Sequence, residues 1–187
     1  MARGKLTKLG VPLGDVIDLA GRAIDVLPIP GHDPASTAFY DRRTGLLLTG
    51  DTVHPGRLYI TDFPAFVSSI GKLVDFTATH PVAHILGKHI EQSRTPFVDY
   101  PVRTIRQPDE HVLELSRGDL VELHTELLNM KDMPTRKLLR SITIFPRRVL
   151  QVASLTVAVS GKNDENYSQF QDTLGLTRAS SDGTLVP

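Results

Sequence analysis

The 187-residue chain contains no cysteine, which excludes disulfides, thiolate metal sites and a cysteine nucleophile. Neither charge sign is in excess: Lys+Arg and Asp+Glu each number 21, so no global field draws the protein to nucleic acid or to anionic lipid. No apolar run approaches the roughly 20 residues that span a bilayer. The basic start, MARGKLTKLGVPLGD, has no apolar stretch behind it and does not read as a secretory signal. Neither GxGxxG nor GxxxxGK occurs, so no glycine-rich phosphate loop is expected. What remains is an ordinary globular composition, 40% hydrophobic and 22% charged, in a chain long enough to bury roughly two-thirds of its unfolded surface. A cytoplasmic protein without membrane or nucleic-acid partners is the expectation.

Residues 14–29 read GDVIDLAGRAIDVLPI, two short alternating apolar runs around the turn Ala20-Gly21-Arg22. After the loop PGHDPAS, residues 37–40 and 46–49 predict two more strands joined by Asp41-Arg42-Arg43-Thr44-Gly45. Tight turns at this density predict an antiparallel sheet. From 62 to 78, apolar residues recur at three- and four-residue spacing, which predicts a helix capped by Asp62. Residues 82–86 predict a buried strand, 87–108 a loop, and 118–130 a second amphipathic helix. Residues 141–145 and 149–159 suit strands, although a helix fits them too, and 161–187 read as a disordered tail. The fold class expected is α/β, in α+β layers.

Seven histidines carry most of the chemical potential: His32, His54, His80, His84, His89, His111 and His124. None forms an HExxH pair. His80 and His84 lie four apart, but in a strand that spacing spreads them by about 13 Å, too far to share one ion, and a structural or surface role is expected. Three residues differ because each follows a strand within a glycine-containing loop: His32 in PGHDP, Asp51 in TGDT and His89 in LGKH. Loops at strand ends are where a rigid scaffold presents ligands. Imidazole and carboxylate suit zinc or a similar divalent ion, although a solvated loop histidine remains the simpler reading of each residue alone.

The segment GDVIDLAGRAIDVLPIPGHDPASTAFYDRRTGLLLTGDTVHPGRLYI, followed by PVAHILGKHIE, resembles the metallo-β-lactamase superfamily. The PGHTPGS-like loop, the TGD loop and the last ligand loop occur in the family's order, over roughly residues 12–130. The resemblance implies an αββα sandwich, here partial, with a one- or two-zinc hydrolytic centre at one edge. It implies that His32 completes the first metal's ligands, that Asp51 bridges two metals, and that His89 serves the second. A bridging carboxylate holds two cations about 3.5–4 Å apart, and they lower the pKa of water from 15.7 toward about 7. Asp33 stands where the family often has Thr.

The family's HxHxDH motif, which supplies four further ligands, has no counterpart: no HxH occurs in the chain. Two readings follow. The chain is a metal-dependent hydrolase of a small-molecule ester, thioester, amide or similar bond, or it is a non-catalytic, truncated relative that keeps the scaffold. Residues 1–134 are expected to form the family-like portion, 135–160 to add strands or a helix to the core, and 161–187 to form the tail. Weak zinc binding is expected, as is association into a homodimer through uncovered sheet. By family position His54, Arg57 and Tyr59 lie in a loop bordering the site and could contact substrate, while Lys88 reads as a solvated charge. The cluster Arg136, Lys137, Arg140, Arg147 and Arg148 reads as a solvated face. The sharpest structural expectation is that His32, Asp51 and His89 converge to within roughly 4–7 Å, as a metal cluster requires.

Overall fold

A short hairpin opens the described part of the chain. In the computed structural model the described residues are 16–130 and 132–147, all within the first of two units, Met1–Val149. The strands expected at 149–159 and the tail at 161–187 lie outside the described residues. β1 (Val16–Asp18) and β2 (Ala23–Pro28) pair antiparallel around Ala20 (φ 53°) and Gly21 (φ 93°). Two positive φ angles give the turn whose twist matches that of its strands. β3 (Thr37–Asp41) and β4 (Leu46–Gly50) extend the antiparallel run.

Cross-strand ion pairs fasten this hairpin stack. Arg42 donates to both Asp25 oxygens at 2.8 and 2.6 Å, and Arg22 donates to Asp41 at 2.5 and 3.0 Å. Asp41 also accepts from the Thr44 hydroxyl (2.6 Å) and the Arg43 amide (3.0 Å), closing the β3–β4 turn. The Arg22 and Thr44 bonds hold its carboxyl well below the ordinary carboxylate range, against a smaller opposing effect of burial.

After β4 the chain leaves the sheet. Residues 54–59, expected as loop, include most of β5 (Arg57–Ile60), which pairs in parallel with the distant β9 (Thr143–Pro146). β8 (Lys137–Leu138) completes a three-stranded sheet in the order β5-β9-β8. Four residues that begin with Arg carry no visible alternation, because β9 rather than a local partner covers them.

α1 (Phe63–Thr79) begins where the Asp62 carboxylate accepts from the Ala65 amide at 3.0 Å. It buries Phe66, Ser69, Ile70, Leu73 and Thr77, one face of a 3.6-residue period. β6 (His84–Gly87) starts two residues later than the 82–86 run suggests and returns parallel to β4, so β5 and α1 form the crossover. β7 (Glu114–Leu115) completes the six-stranded order β1-β2-β3-β4-β6-β7. α2 (Arg117–Asn129) starts in a capping box between Ser116 and Asp119 and packs on α1. Both sheets and both helices contribute to one core, from Tyr40 and Leu47 through Phe66 and Ile85 to Leu123 and Ile144. The result is an α+β sandwich. No described helix is long and apolar enough to cross a membrane.

The excursion between β6 and β7 is closed at its neck. Bridges join Gln92 to Asp99 and Ser93 to Glu110, and the Arg94 amide donates to the Asp109 carbonyl at 2.9 Å. Below the neck, buried Arg57 donates to Asp99 (3.1 Å) and to the Tyr100 carbonyl (2.5 Å), and its own amide donates to Glu91 (2.8 Å). The basic cluster expected as a solvated face is partly paired. Arg136 bonds Asp99 at 2.9 Å and Lys137 bonds Glu126.

One close approach locks the loop after β2 to α1. Gly31 has φ 137°, and a Cβ there would lie 2.5–2.6 Å from the Phe66 backbone and Cβ. Its carbonyl accepts from both the Thr61 and Asp62 amides at 2.9 Å. Gly31→Ala is therefore expected to cost about 2–4 kcal/mol, measured by urea unfolding; a loss under about 1 kcal/mol would contradict this packing. Asp41 gives a pH signature of known sign. Its folded pKa is lowered, so its stabilisation is full above the ordinary Asp value of about 4 and fades as pH falls below it. Asp41→Asn should lower the melting temperature at neutral pH and flatten its decline on acidification, followed by circular dichroism.

Candidate metal centre

β2, β4 and β6 run in the same direction, since β2 and β4 are each antiparallel to β3 and β6 is parallel to β4. Their C-terminal ends therefore share one edge of the sheet, and His32, Asp51 and His89 each follow one of those ends. Register makes the second contact: Gly50 stands beside Gly87, and the Lys88 amide donates to the Gly50 carbonyl at 3.1 Å. Residues 37 and 38 positions apart in sequence thus meet across two neighbouring strands.

The three residues do come together. Asp51 Oδ1 lies 2.9 Å from His89 Nε2, and Asp51 Oδ2 lies 3.9 Å from His32 Nε2. His32 is oriented from behind, its Nδ1 lying 2.7 Å from the Tyr59 carbonyl. Only a protonated Nδ1 can donate to that oxygen, so in the neutral ring Nε2 carries the lone pair and faces Asp51. Tyr59 therefore serves the site through its backbone, and β5 is what brings it there. Asp33 is used inside its own loop: its Oδ1 accepts from the Ala35 amide at 2.8 Å. An open pocket of about 350 Å³ lies alongside, lined by residues that include His32, Asp33, Ser36, Thr49, Asp51 and Thr52.

Lys88, expected as a solvated charge, keeps its side chain 61% exposed and places Nζ 2.7 Å from Asp51 Oδ2. Burial alone would raise the Asp51 pKa. The Lys88 hydrogen bond and charge, with the fields of His89 and His32, outweigh it and hold the carboxyl below its ordinary value. Nothing in the LGKH stretch signals that contact, because it depends on the β4–β6 register.

The three residues given a possible substrate role are placed differently from one another. Arg57 is buried among Glu91, Asp99 and the Tyr100 carbonyl. The Tyr59 ring packs edge-on against Phe145, with their centres 5.1 Å apart, beneath the Arg147 guanidinium. His54 is 3% exposed and lies edge-on to His89. Burial, and next the charge of His89, push its pKa down to about 4, so the ring is neutral near pH 7. Gly87 makes room for it: a Cβ at Gly87 would fall 2.2 Å from the His54 Cβ. His80, by contrast, stacks on Phe76 at 3.9 Å, and His84 is exposed at the start of β6. Both lie outside the site.

Among the described residues no group of three or more His, Asp or Glu side chains stands in ligating geometry. The donors still fit a divalent ion chemically. Asp51 Oδ1 is buried without a hydrogen-bond partner of good geometry, and His32 presents a free lone pair beside the same carboxylate. Buried polar atoms are seldom left unpaired without a reason such as an ion or water.

The metallo-β-lactamase superfamily sequence profile matches residues 5–136. The chain belongs to this superfamily. Its members are of hydrolase type and generally bind zinc. The chain is 32% identical over 69 residues to the acyl-coenzyme A thioesterase MBLAC2 of Gallus gallus, a match covering 33% of this chain and 25% of that protein. A metallo-β-lactamase family protein of Thermus thermophilus is 20% identical, with TM-score 0.40, over 68% of this chain and 40% of the other. A metallo-β-lactamase from Pontibacter korlensis is 12% identical, with TM-score 0.43, over 66% and 56% respectively. The chain thus spans 25–56% of the length of these relatives.

The His32 geometry has a spectroscopic consequence. Nitrogen-15 NMR of the metal-free protein at pH 8 should show His32 as the Nδ1–H tautomer, with an unprotonated Nε2. An Nε2–H tautomer would mean that the Tyr59 carbonyl does not set the ring.

Proposed function

We propose that this metallo-β-lactamase superfamily member hydrolyses an acyl bond, with a thioester as the favoured substrate class, at a zinc centre built on Asp51, His32 and His89. The observation that carries the reading is the placement of one carboxylate between two imidazole nitrogens, 2.9 and 3.9 Å away, at the common end of three co-directional strands. Support for the thioester comes from the MBLAC2 match, since that relative is named an acyl-coenzyme A thioesterase. Zinc at these donors would lower the pKa of water toward about 7 and so supply a nucleophile at neutral pH. The chain's own residues hold the reactants. Asp51 and His89 fix the edge formed by β4 and β6, His32 is aimed by the Tyr59 carbonyl, and the loop after β2 with the TGDT turn walls the adjoining pocket.

One observation favours a second reading, in which the scaffold persists without a competent centre: the Lys88 ammonium already neutralises Asp51. A lysine-stabilised carboxylate has less need of a cation. Zinc titration of the full chain by calorimetry, together with thiol release from acyl-coenzyme A esters, separates the two. The enzyme reading expects saturable zinc binding and zinc-dependent thiol release. Asp51→Asn should then weaken zinc by at least about 100-fold, since even residues behind a metal ligand are worth 10–100-fold, and should abolish turnover. Lys88→Met should strengthen zinc binding. A folded wild-type chain that neither takes up zinc nor releases thiol establishes the second reading.

A further inference from the structure

Two of the buried side-chain atoms that lack a hydrogen-bond partner lie in one place. They are Asp51 Oδ1 and His54 Nδ1. Each is an atom type that ligates borderline divalent ions. Between them stands His89, its Nε2 2.9 Å from Asp51 Oδ1 and its ring 5.5 Å, centre to centre, from that of His54 at an interplanar angle of 64°. Two imidazoles on one tetrahedral zinc, with Zn–N of about 2.0–2.1 Å, have ring centres about 5 Å apart. The observed spacing lies within about half an ångström of that value, and side-chain rotation is what would bring the donors into ligating geometry.

A packing role alone does not account for His54. The residue is 3% exposed and fits against Gly87 only because Gly87 has no Cβ. An apolar side chain would fill that space without burying an unpaired nitrogen, which is costly wherever it occurs. The chain accommodates an imidazole there, beside a carboxylate whose buried Oδ1 faces His89 Nε2 at 2.9 Å, and a cation shared by these atoms would give the buried His54 nitrogen a partner.

We propose that His54 is a metal ligand of this chain, completing with Asp51 and His89 a three-donor site for a zinc-like divalent ion. This site rests on the metal-centre reading above and adds a donor outside the three positions given by the family resemblance. Ligation draws on Nδ1, the nitrogen left unpaired. The Lys88 ammonium then yields Asp51 to the stronger charge, and His32 stands on the far side of the same carboxylate.

The test uses the full chain and Co2+ alone as probe, because the visible bands of Co2+ report ligand number and type. The wild-type protein should bind Co2+ with a tetrahedral-type spectrum. His54→Gln and His54→Phe should each weaken Co2+ at least tenfold and shift those bands, with unchanged far-ultraviolet circular dichroism. Should neither variant fold, NMR of the wild-type protein loaded with NMR-active cadmium decides without mutation, since a ligating His54 shows scalar coupling from the metal to its ring. Folded variants with unaltered affinity and spectrum, or the absence of that coupling, overturn the role of His54. If Asp51→Asn abolishes Co2+ binding in the same series, the metal-centre reading survives that loss. Co2+ binding that is indifferent to Asp51→Asn, or absent from the wild-type chain, overturns both.

Discussion

The absence of a side chain at Gly31 is the constraint on which the site depends. Its Cα faces the Phe66 backbone at a distance that admits no Cβ, and its carbonyl takes the two amides that lead into α1. Ser69 adds a third tie, its hydroxyl donating to the Pro30 carbonyl at 2.7 Å. The helix that fills the core and the loop that carries His32 are therefore one assembly. Their junction also delivers β5 beneath the loop, so that the Tyr59 carbonyl reaches His32 Nδ1. Core packing and ligand orientation are set by the same few atoms.

On the other side of the carboxylate, strand register takes over the work of helix packing. A parallel neighbour offers evenly spaced, slanted hydrogen bonds, and the shift of register between Leu48 and Gly50 places the TGD turn level with Lys88 and His89. The segment after β6 is then held down at Glu91, whose side chain accepts from the Arg57 amide and whose own amide donates to the Pro55 carbonyl. Arg57 is costly to bury, and its carboxylate and carbonyl partners offset that cost. Its position explains why a residue near the site in sequence faces away from it.

Much of this was legible in the chain. The period and cap of α1, the hairpin turn at Ala20-Gly21 and the strand-end loops bearing His32, Asp51 and His89 are local features, written in contiguous residues. The failures are non-local. β5 begins with a charged residue and pairs with a strand far along the chain, so no alternation betrays it. β7 and β8 are two residues long and exist only as partners. The Lys88–Asp51 contact and the burial of His54 both follow from Gly50 lying beside Gly87, a fact of register that neither segment carries alone. Glycine in LGKH could have hinted at a close backbone approach, but not at what would approach.

The closed neck of the 92–113 excursion separates two kinds of freedom. Its base is stapled at Gln92–Asp99 and Ser93–Glu110, and Arg57 and Glu91 tie Asp99 and Tyr100 of the excursion to the metal-facing segment. Beyond those ties, residues 101–108 bond locally, the Thr104 amide and hydroxyl donating to the Pro101 carbonyl and the Gln107 amide group to the Thr104 carbonyl. Doubling a closed loop's length adds only about 0.6 kcal/mol of closure entropy, so residues 101–108 can grow, shrink or change composition while the ligand edge stays put. Divergence among chains built on this plan has a place to accumulate: the tip of the arm can be rewritten while Asp99 and Tyr100 go on holding Arg57.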